Sequence, residues 1–203
     1  MPLARYSLRD LHDRQPWEWD ELRRALGAVN GALMHTHPRG FIHRDVSPDN
    51  ILLLQNDHWV LADYGLVMPR APRRRRPTNT GMLIGTDFFS APEVLHNPAS
   101  ATPASDMYSI GALATWFTAI SNTRSLETMS EAGRYWAALI RGTFQLDAAA
   151  RWSTVQVATH LAEAPERDLV LVGDGPVACP RCGRRAGVDH SERCLRCGYV
   201  NPY

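Results

Sequence analysis

The sequence predicts a mainly α-helical (α+β) domain with short β-hairpins, followed by a small four-cysteine module. Three observations point there. Leu22, Leu26, Val29 and Leu33 recur at helical spacing, and the stretch 104–120, with little polar surface, predicts a helix buried on most sides. Two apolar runs, Ile51 to Leu54 and His58 to Ala62, flank Gln55, Asn56 and Asp57, which is the composition of a hairpin. All four cysteines fall within 179–203, as two Cys-x-x-Cys pairs.

Taken in order, the first helix runs from about Glu18 to His35 and is stopped by Pro38 and Gly40. The hairpin follows. Arg70 to Gly81 is a loop rich in Pro, Arg and Thr. After the apolar helix, Ser130 to Ile140 is expected to be helical. Ser153 to Ala162 is another helix, with Ser153 placed to cap its start. Residues 165–178 read as a linker, although Leu169 to Val172 has the composition of a strand. The expected division is a main domain over 1–164, the linker 165–178 and a cysteine module over 179–203.

The bulk numbers narrow the function classes. With 203 residues, 44% hydrophobic content and a formal charge of +1, the chain is neither basic nor acidic throughout. The start, "MPLARYSLRD", lacks the apolar segment of a signal peptide. The most apolar stretch, Met107 to Ile120, is too short to span a bilayer and carries Ser109, Thr115 and Thr118. No membrane role is expected. The cysteines leave none over for a disulfide framework, so a reducing cytoplasm is the expected setting.

The hairpin carries the chemistry. Pairing the strands about their turn sets Leu54 opposite His58 or Trp59 and Ile51 near Ala62. Asn50 precedes the first strand and Asp63 follows the second, so both emerge at the open end. An amide oxygen beside a carboxylate suits magnesium that also binds substrate phosphates. Asp45, on the loop entering the same end, is in reach of the proton of an attacking hydroxyl.

"HRDVSPDN" at 43–50 followed by "DYG" at 63–65 resembles the catalytic loop and metal-binding segment of eukaryotic-type protein kinases, the type that includes the bacterial Ser/Thr kinases. "GTDFFSAPE", Gly85 to Glu93, resembles the end of a kinase activation segment. "SDMYSIG", Ser105 to Gly111, resembles the start of the long buried helix of the large lobe. "RWS", Arg151 to Ser153, resembles the late arginine that pairs with the glutamate of the APE motif. The resemblance covers about residues 1–164 and implies the large, C-terminal lobe of such a kinase.

By that resemblance Asp45 is the catalytic base, and Asn50 and Asp63 hold magnesium against ATP phosphates. Arg44 meets a phosphorylated residue of the activation loop, where Thr78 and Thr80 are the available acceptors. Thr86 shapes the place of the substrate hydroxyl. Glu93 and Arg151 form a buried ion pair, Asp106 braces the catalytic loop through its backbone, and His43 is a packing residue of that loop. The implied activity is transfer of the ATP γ-phosphate to a protein Ser or Thr hydroxyl. The alternative is a catalytically inactive, kinase-like interaction module.

Some residues depart from the family pattern. Ser47 stands where Ser/Thr kinases commonly carry a lysine that neutralises the transferred group. Its absence weakens the preference for Ser/Thr over Tyr. Tyr64 for phenylalanine and Phe89 for tyrosine are mild changes. There is no Gly-x-Gly-x-x-Gly before residue 43 and no lysine anywhere; all 22 basic residues are arginine. "MPLARYSLRDLH" resembles the hinge between lobes and the helix after it. The expectation is a chain without a small lobe: a fragment, a natural large-lobe remnant that binds partners, or half of a split kinase completed by another chain.

Two features stand outside this pattern. Arg70 and Arg73 to Arg76 fall in the presumed activation loop. They are either a solvated basic loop or a self-repelling segment ordered by phosphate on Thr78 or Thr80. One loop is too narrow a basic face for nucleic acid to be the favoured partner. "CPRCG" and "CLRCG" place Cys179, Cys182, Cys194 and Cys197 in two matched knuckles, eleven residues apart. Four thiolates make a closed tetrahedral site for structural Zn²⁺ and resemble a zinc ribbon. His190 is an alternative ligand that the site does not need. So short a segment relies on the metal for most of its folding energy. The surrounding arginines serve solubility or dock an acidic partner or nucleic acid.

Overall fold

A computed structural model describes residues 4–13, 19–64, 86–118 and 131–163. The chain opens with strand β1 (Ala4–Ser7) and helix α1 (Leu8–Asp13). Ser7 caps α1 reciprocally: its hydroxyl accepts from the Asp10 amide at 3.2 Å, and the Asp10 carboxylate accepts from the Ser7 amide at 2.9 Å. Helix α2 (Trp19–Thr36) carries Asp20 and Glu21 in its first turn, where the helix dipole favours them, and buries Leu22, Ala25, Leu26, Val29 and Leu33. It runs into a 3₁₀ turn (His37–Arg39) that ends at Gly40, whose φ of 80° is cheap only for glycine.

Strands β2 (Ile51–Leu54) and β3 (Trp59–Leu61) pair antiparallel, with Ile51 opposite Leu61 and Leu53 opposite Trp59. Of the two expected registers the one with His58 forms, since the Leu54 amide donates to the His58 carbonyl at 2.9 Å. Ala62 therefore lies against Asn50, not Ile51, and donates to the Asn50 carbonyl at 2.8 Å. The turn decides this. Asp57 adopts φ 61° and its amide closes onto the Leu54 carbonyl at 3.1 Å, a three-residue loop ending in a left-handed residue. β3 is also one residue shorter at each end than the run His58 to Ala62.

A second correction concerns the first residues. The segment expected only as a hinge and helix contains β1, which pairs antiparallel with β2 through Ala4–Leu54 and Ser7–Leu52. The sheet has the order β1-β2-β3, with β2 central.

Helices α3 (Pro92–His96), α4 (Pro103–Thr118), α5 (Glu131–Thr143) and α6 (Thr154–Ala162) complete the described residues. α4 is buried along most of its length, through Met107, Ile110, Leu113, Ala114 and Phe117. Its hydroxyls are tolerated there because each has an acceptor. Thr115 donates to the Gly111 carbonyl at 2.9 Å, Thr118 to Ala114 at 2.7 Å, and Ser109 to Phe89 at 2.6 Å.

α4 packs on α5, and two glycines set how closely this region closes. A Cβ on Gly111 would stand 2.5 Å from Thr143 Oγ1, and one on Gly142 would overlap the Trp152 indole. α6 begins with a capping box between Ser153 and Gln156 and docks on α2, where Asn30 Nδ2 donates to the Thr154 carbonyl at 2.9 Å. No helix among the described residues is long and apolar enough to cross a membrane. The arginine run, Thr78, Thr80, the linker 165–178 and the cysteine module with Cys179, Cys182, Cys194 and Cys197 lie outside the described residues.

Candidate active site

Four residues close a ring of hydrogen bonds at the open end of the hairpin. Asn50 Nδ2 donates to the Asp45 carbonyl at 2.8 Å. The Asn50 carbonyl accepts from Ala62 at 2.8 Å. The Ala62 carbonyl meets His43 Nε2 at 3.0 Å, and the Asp45 amide donates to His43 Nδ1 at 3.3 Å. Because Nδ1 accepts, Nε2 carries the proton. That is the neutral imidazole, and burial pushes the His43 pKa below its ordinary value. His43 also packs edge-on against Tyr64, ring centroids 4.5 Å apart. It is thus both a packing residue and the bridge that ties the loop to Ala62, just after β3.

The ring ties Asp45 and Asn50 to Ala62, the neighbour of Asp63 in the chain. Asp63 is exposed and takes φ 56°, a left-handed turn that redirects the chain as it leaves β3. The amide nitrogen of Asn50 is committed to Asp45, which leaves its oxygen as the end able to meet a cation. An amide oxygen and a carboxylate form a hard donor set, so these residues fit magnesium by chemistry. Among the described residues no cluster of three or more His, Cys, Asp or Glu forms a metal centre by itself. A site that shares its ion with substrate phosphates does not need one.

Asp106 anchors the loop from below. It is 0% exposed and projects from the first turn of α4. Oδ2 accepts from the His43 amide and Oδ1 from the Arg44 amide, each at 2.9 Å. His37 Nε2 lies 2.8 Å from Oδ2. Two consecutive amides pinned on one carboxylate explain how Arg44 is held at φ 68° with its side chain exposed.

A second tie joins α3 to the segment before α6. Arg151 Nη1 and Nη2 meet the two Glu93 oxygens at 2.6 and 2.9 Å. Its remaining donors go to the Gln145, Ala104 and Leu146 carbonyls at 2.7, 3.0 and 3.1 Å. All five guanidinium N–H groups are used, and the cation stands 5.0 Å from the Tyr108 ring centroid. Ser105 Oγ donates to Glu93 at 2.8 Å. Bonded first by Arg151, the Glu93 carboxyl is held down at about 2.

Of the expected site residues, the structure brings together Asp45, Asn50 and the residue before Asp63, and separately Arg44 with Asp106 and Glu93 with Arg151. Thr86 opens a 3₁₀ turn, Thr86–Phe89, that ends on buried Phe89. Thr78, Thr80 and the four cysteines lie outside the described residues. Two contributors escaped the sequence reading. His37 is a third donor-side neighbour of Asp106, and Arg9 grips Asp49 beside Asn50. "SLRD" and "HPRG" carry no local sign of partners 40 and 69 residues away.

Comparison with known proteins identifies the family. The family model described as protein kinase domain matches residues 3–120. The serine/threonine-protein kinase PknK of Mycobacterium tuberculosis is 40% identical over 128 residues, covering 63% of this chain and 11% of that protein. PknL of the same organism is 39% identical over 108 residues, 53% of this chain and 26% of PknL. A probable serine/threonine-protein kinase of Bifidobacterium longum is 36% identical over 94 residues, 46% of this chain and 12% of that protein. The chain thus spans a minor part of the length of these relatives. The helical fold with its small antiparallel sheet is consistent with the match. With a family model covering more than half of its length, the chain belongs to the protein kinase domain family.

Proposed function

We propose that this chain is the large-lobe part of a protein kinase that transfers the ATP γ-phosphate to a protein serine or threonine hydroxyl. The observation that carries this is the hydrogen-bonded ring of His43, Asp45, Asn50 and Ala62, which holds an acid and an amide beside Asp63. Asp45 takes the proton of the attacking hydroxyl. The hydroxyl oxygen bonds to the γ-phosphorus as the bond to the β–γ bridging oxygen breaks, and ADP leaves. Asn50 and Asp63 hold magnesium, which when bound neutralises phosphate charge. Arg44 pairs with a phosphate on Thr78 or Thr80, and Thr86 shapes the place of the acceptor hydroxyl. The chain has no lysine, so a lysine grip on ATP comes from a small lobe supplied by further sequence or another chain. Cys179, Cys182, Cys194 and Cys197 would hold a structural zinc ion, and the motif spacing supports that reading.

Titration with a fluorescent ATP analogue, with and without Mg²⁺, tests the reading. With a small lobe supplied, wild type binds with magnesium and not with EDTA, and Asp63→Asn abolishes that difference. With a small lobe present, Asp45→Asn keeps nucleotide binding and slows transfer by about 10²–10⁴-fold. Ser47, in place of a charge-neutralising lysine, favours a second reading as an inactive interaction module. That module would show no metal-dependent nucleotide binding.

A further inference from the structure

Arg9 lies in α1, outside the hairpin and outside the catalytic-loop and metal-binding motifs. Its Nε and Nη2 meet Asp49 Oδ1 and Oδ2 at 2.6 and 2.8 Å, two parallel bonds on one carboxylate. Its backbone amide donates to the Pro48 carbonyl at 3.3 Å. Its guanidinium carbon stands 5.5 Å from the Trp116 ring centroid on α4, so the cation is held by a ring as well as an anion. With side chains 35% and 59% exposed, such a pair adds little to global stability.

Its location is what matters. Pro48 and Asp49 are the two residues between Ser47 and Asn50, and the Asn50 amide donates to the Ser47 carbonyl at 3.0 Å to close that turn. Three attachments from Arg9 therefore land on the two residues whose rotation would swing Asn50 away from the Asp45 carbonyl.

We propose that Arg9 is a positioning residue: it clamps the 47–50 turn from outside, so that the β1–α1 segment and the Asn50 amide move as one body. The functional consequence rests on the phosphotransfer reading; the clamp itself does not. It also makes the site sensitive to displacement of α1, because the Arg9 side chain adds a direct link from that helix to the turn that carries Asn50, beside the β1–β2 pairing.

The test uses the full chain as wild type, Arg9→Gln, Asp49→Asn and the double variant. Three quantities are read: the Mg²⁺ midpoint for binding a fluorescent ATP analogue, amide hydrogen exchange across 46–52, and the urea midpoint. Each single variant is expected to raise the Mg²⁺ midpoint about three- to fivefold, while the urea midpoint hardly moves. The double variant is expected to be no worse than the worse single one, because the two residues act through each other. Exchange across 46–52 is faster in all three variants. Wild-type exchange rates in Arg9→Gln, or additive effects of the two substitutions, overturn the clamp. If wild type shows no magnesium-dependent nucleotide binding even with a small lobe supplied, the phosphotransfer reading fails, and the exchange rates alone decide the clamp.

Discussion

Asp106 and Arg151 are both buried charged side chains that join distant parts of the chain, yet they are satisfied in opposite ways. Asp106 gathers two backbone amides and a histidine, which makes it a template for the shape of one loop. Arg151 gathers the Glu93 carboxylate of α3, the Ala104 carbonyl of α4 and the Gln145 and Leu146 carbonyls of the segment after α5, which makes it a tie between three parts of the chain. A carboxylate bonded by consecutive amides fixes dihedral angles, including the positive φ of Arg44. A guanidinium spread over several elements fixes their distances. The first should therefore govern activity more than stability, and the second stability more than activity.

Breaking the tie should have the largest effect. Arg151→Met leaves Glu93 without its cation and is expected to cost about 3–5 kcal/mol in urea denaturation, as for other broken buried pairs. The Arg151 side chain is 0% exposed and that of Glu93 25%, so the lower end is expected. A loss under about 1 kcal/mol would make the pair no better than a surface one and erase the contrast.

Acid probes the same tie without mutation. Glu93 titrates at about 2 in the folded chain against an ordinary 4.5. The unfolded chain takes up the proton first, so the stabilisation is complete above about pH 4.5 and disappears as pH falls toward 2. It should amount to about 3 kcal/mol. Urea midpoints measured across that window should fall steeply in wild type and more gently in Glu93→Gln.

Gly142→Ala sharpens the comparison from the packing side. The added methyl overlaps the Trp152 indole, and Trp152 follows Arg151 and donates to the Gly142 carbonyl at 2.7 Å. Overpacking there should cost about 2 kcal/mol, read as a lowered melting temperature.

Asp106→Asn should cost the least stability, about 1–2 kcal/mol, since one acceptor oxygen survives while an NH₂ group faces a donor. Its mark should be local. Hydrogen exchange at the His43 and Arg44 amides should speed up, and magnesium-dependent nucleotide binding should weaken more than in Gly142→Ala. Equal weakening in both would mean that Asp106 acts only through global stability.

Much of the fold was legible because burial leaves a periodic trace. Leu22, Leu26, Val29 and Leu33 announced α2, and the apolar run of α4 announced a helix buried nearly all round. Asp45, Asn50 and Asp63 could be placed near one another for another reason: they flank a strand pair short enough for its turn to bring both ends together, whereas the roles of His43 and Arg44 came only from the resemblance. The strand register was not legible, because it hung on a left-handed Asp57 that no hydrophobic pattern encodes. β1 was missed because Ala4–Ser7 is a short edge strand that exists only once β2 offers it a partner.

By itself, the sequence determined which residues are apolar at which spacing, and hence the helices, the hairpin and the set of oxygen-bearing side chains near its mouth. Tertiary structure alone decided what those side chains hold: Asn50 on the Asp45 carbonyl, Arg9 on Asp49, His37 on Asp106. Periodicity reports the face a residue turns to the core. A polar group's partner is selected by whatever donor or acceptor the packed elements bring within about 3 Å, and that is a property of the assembled molecule.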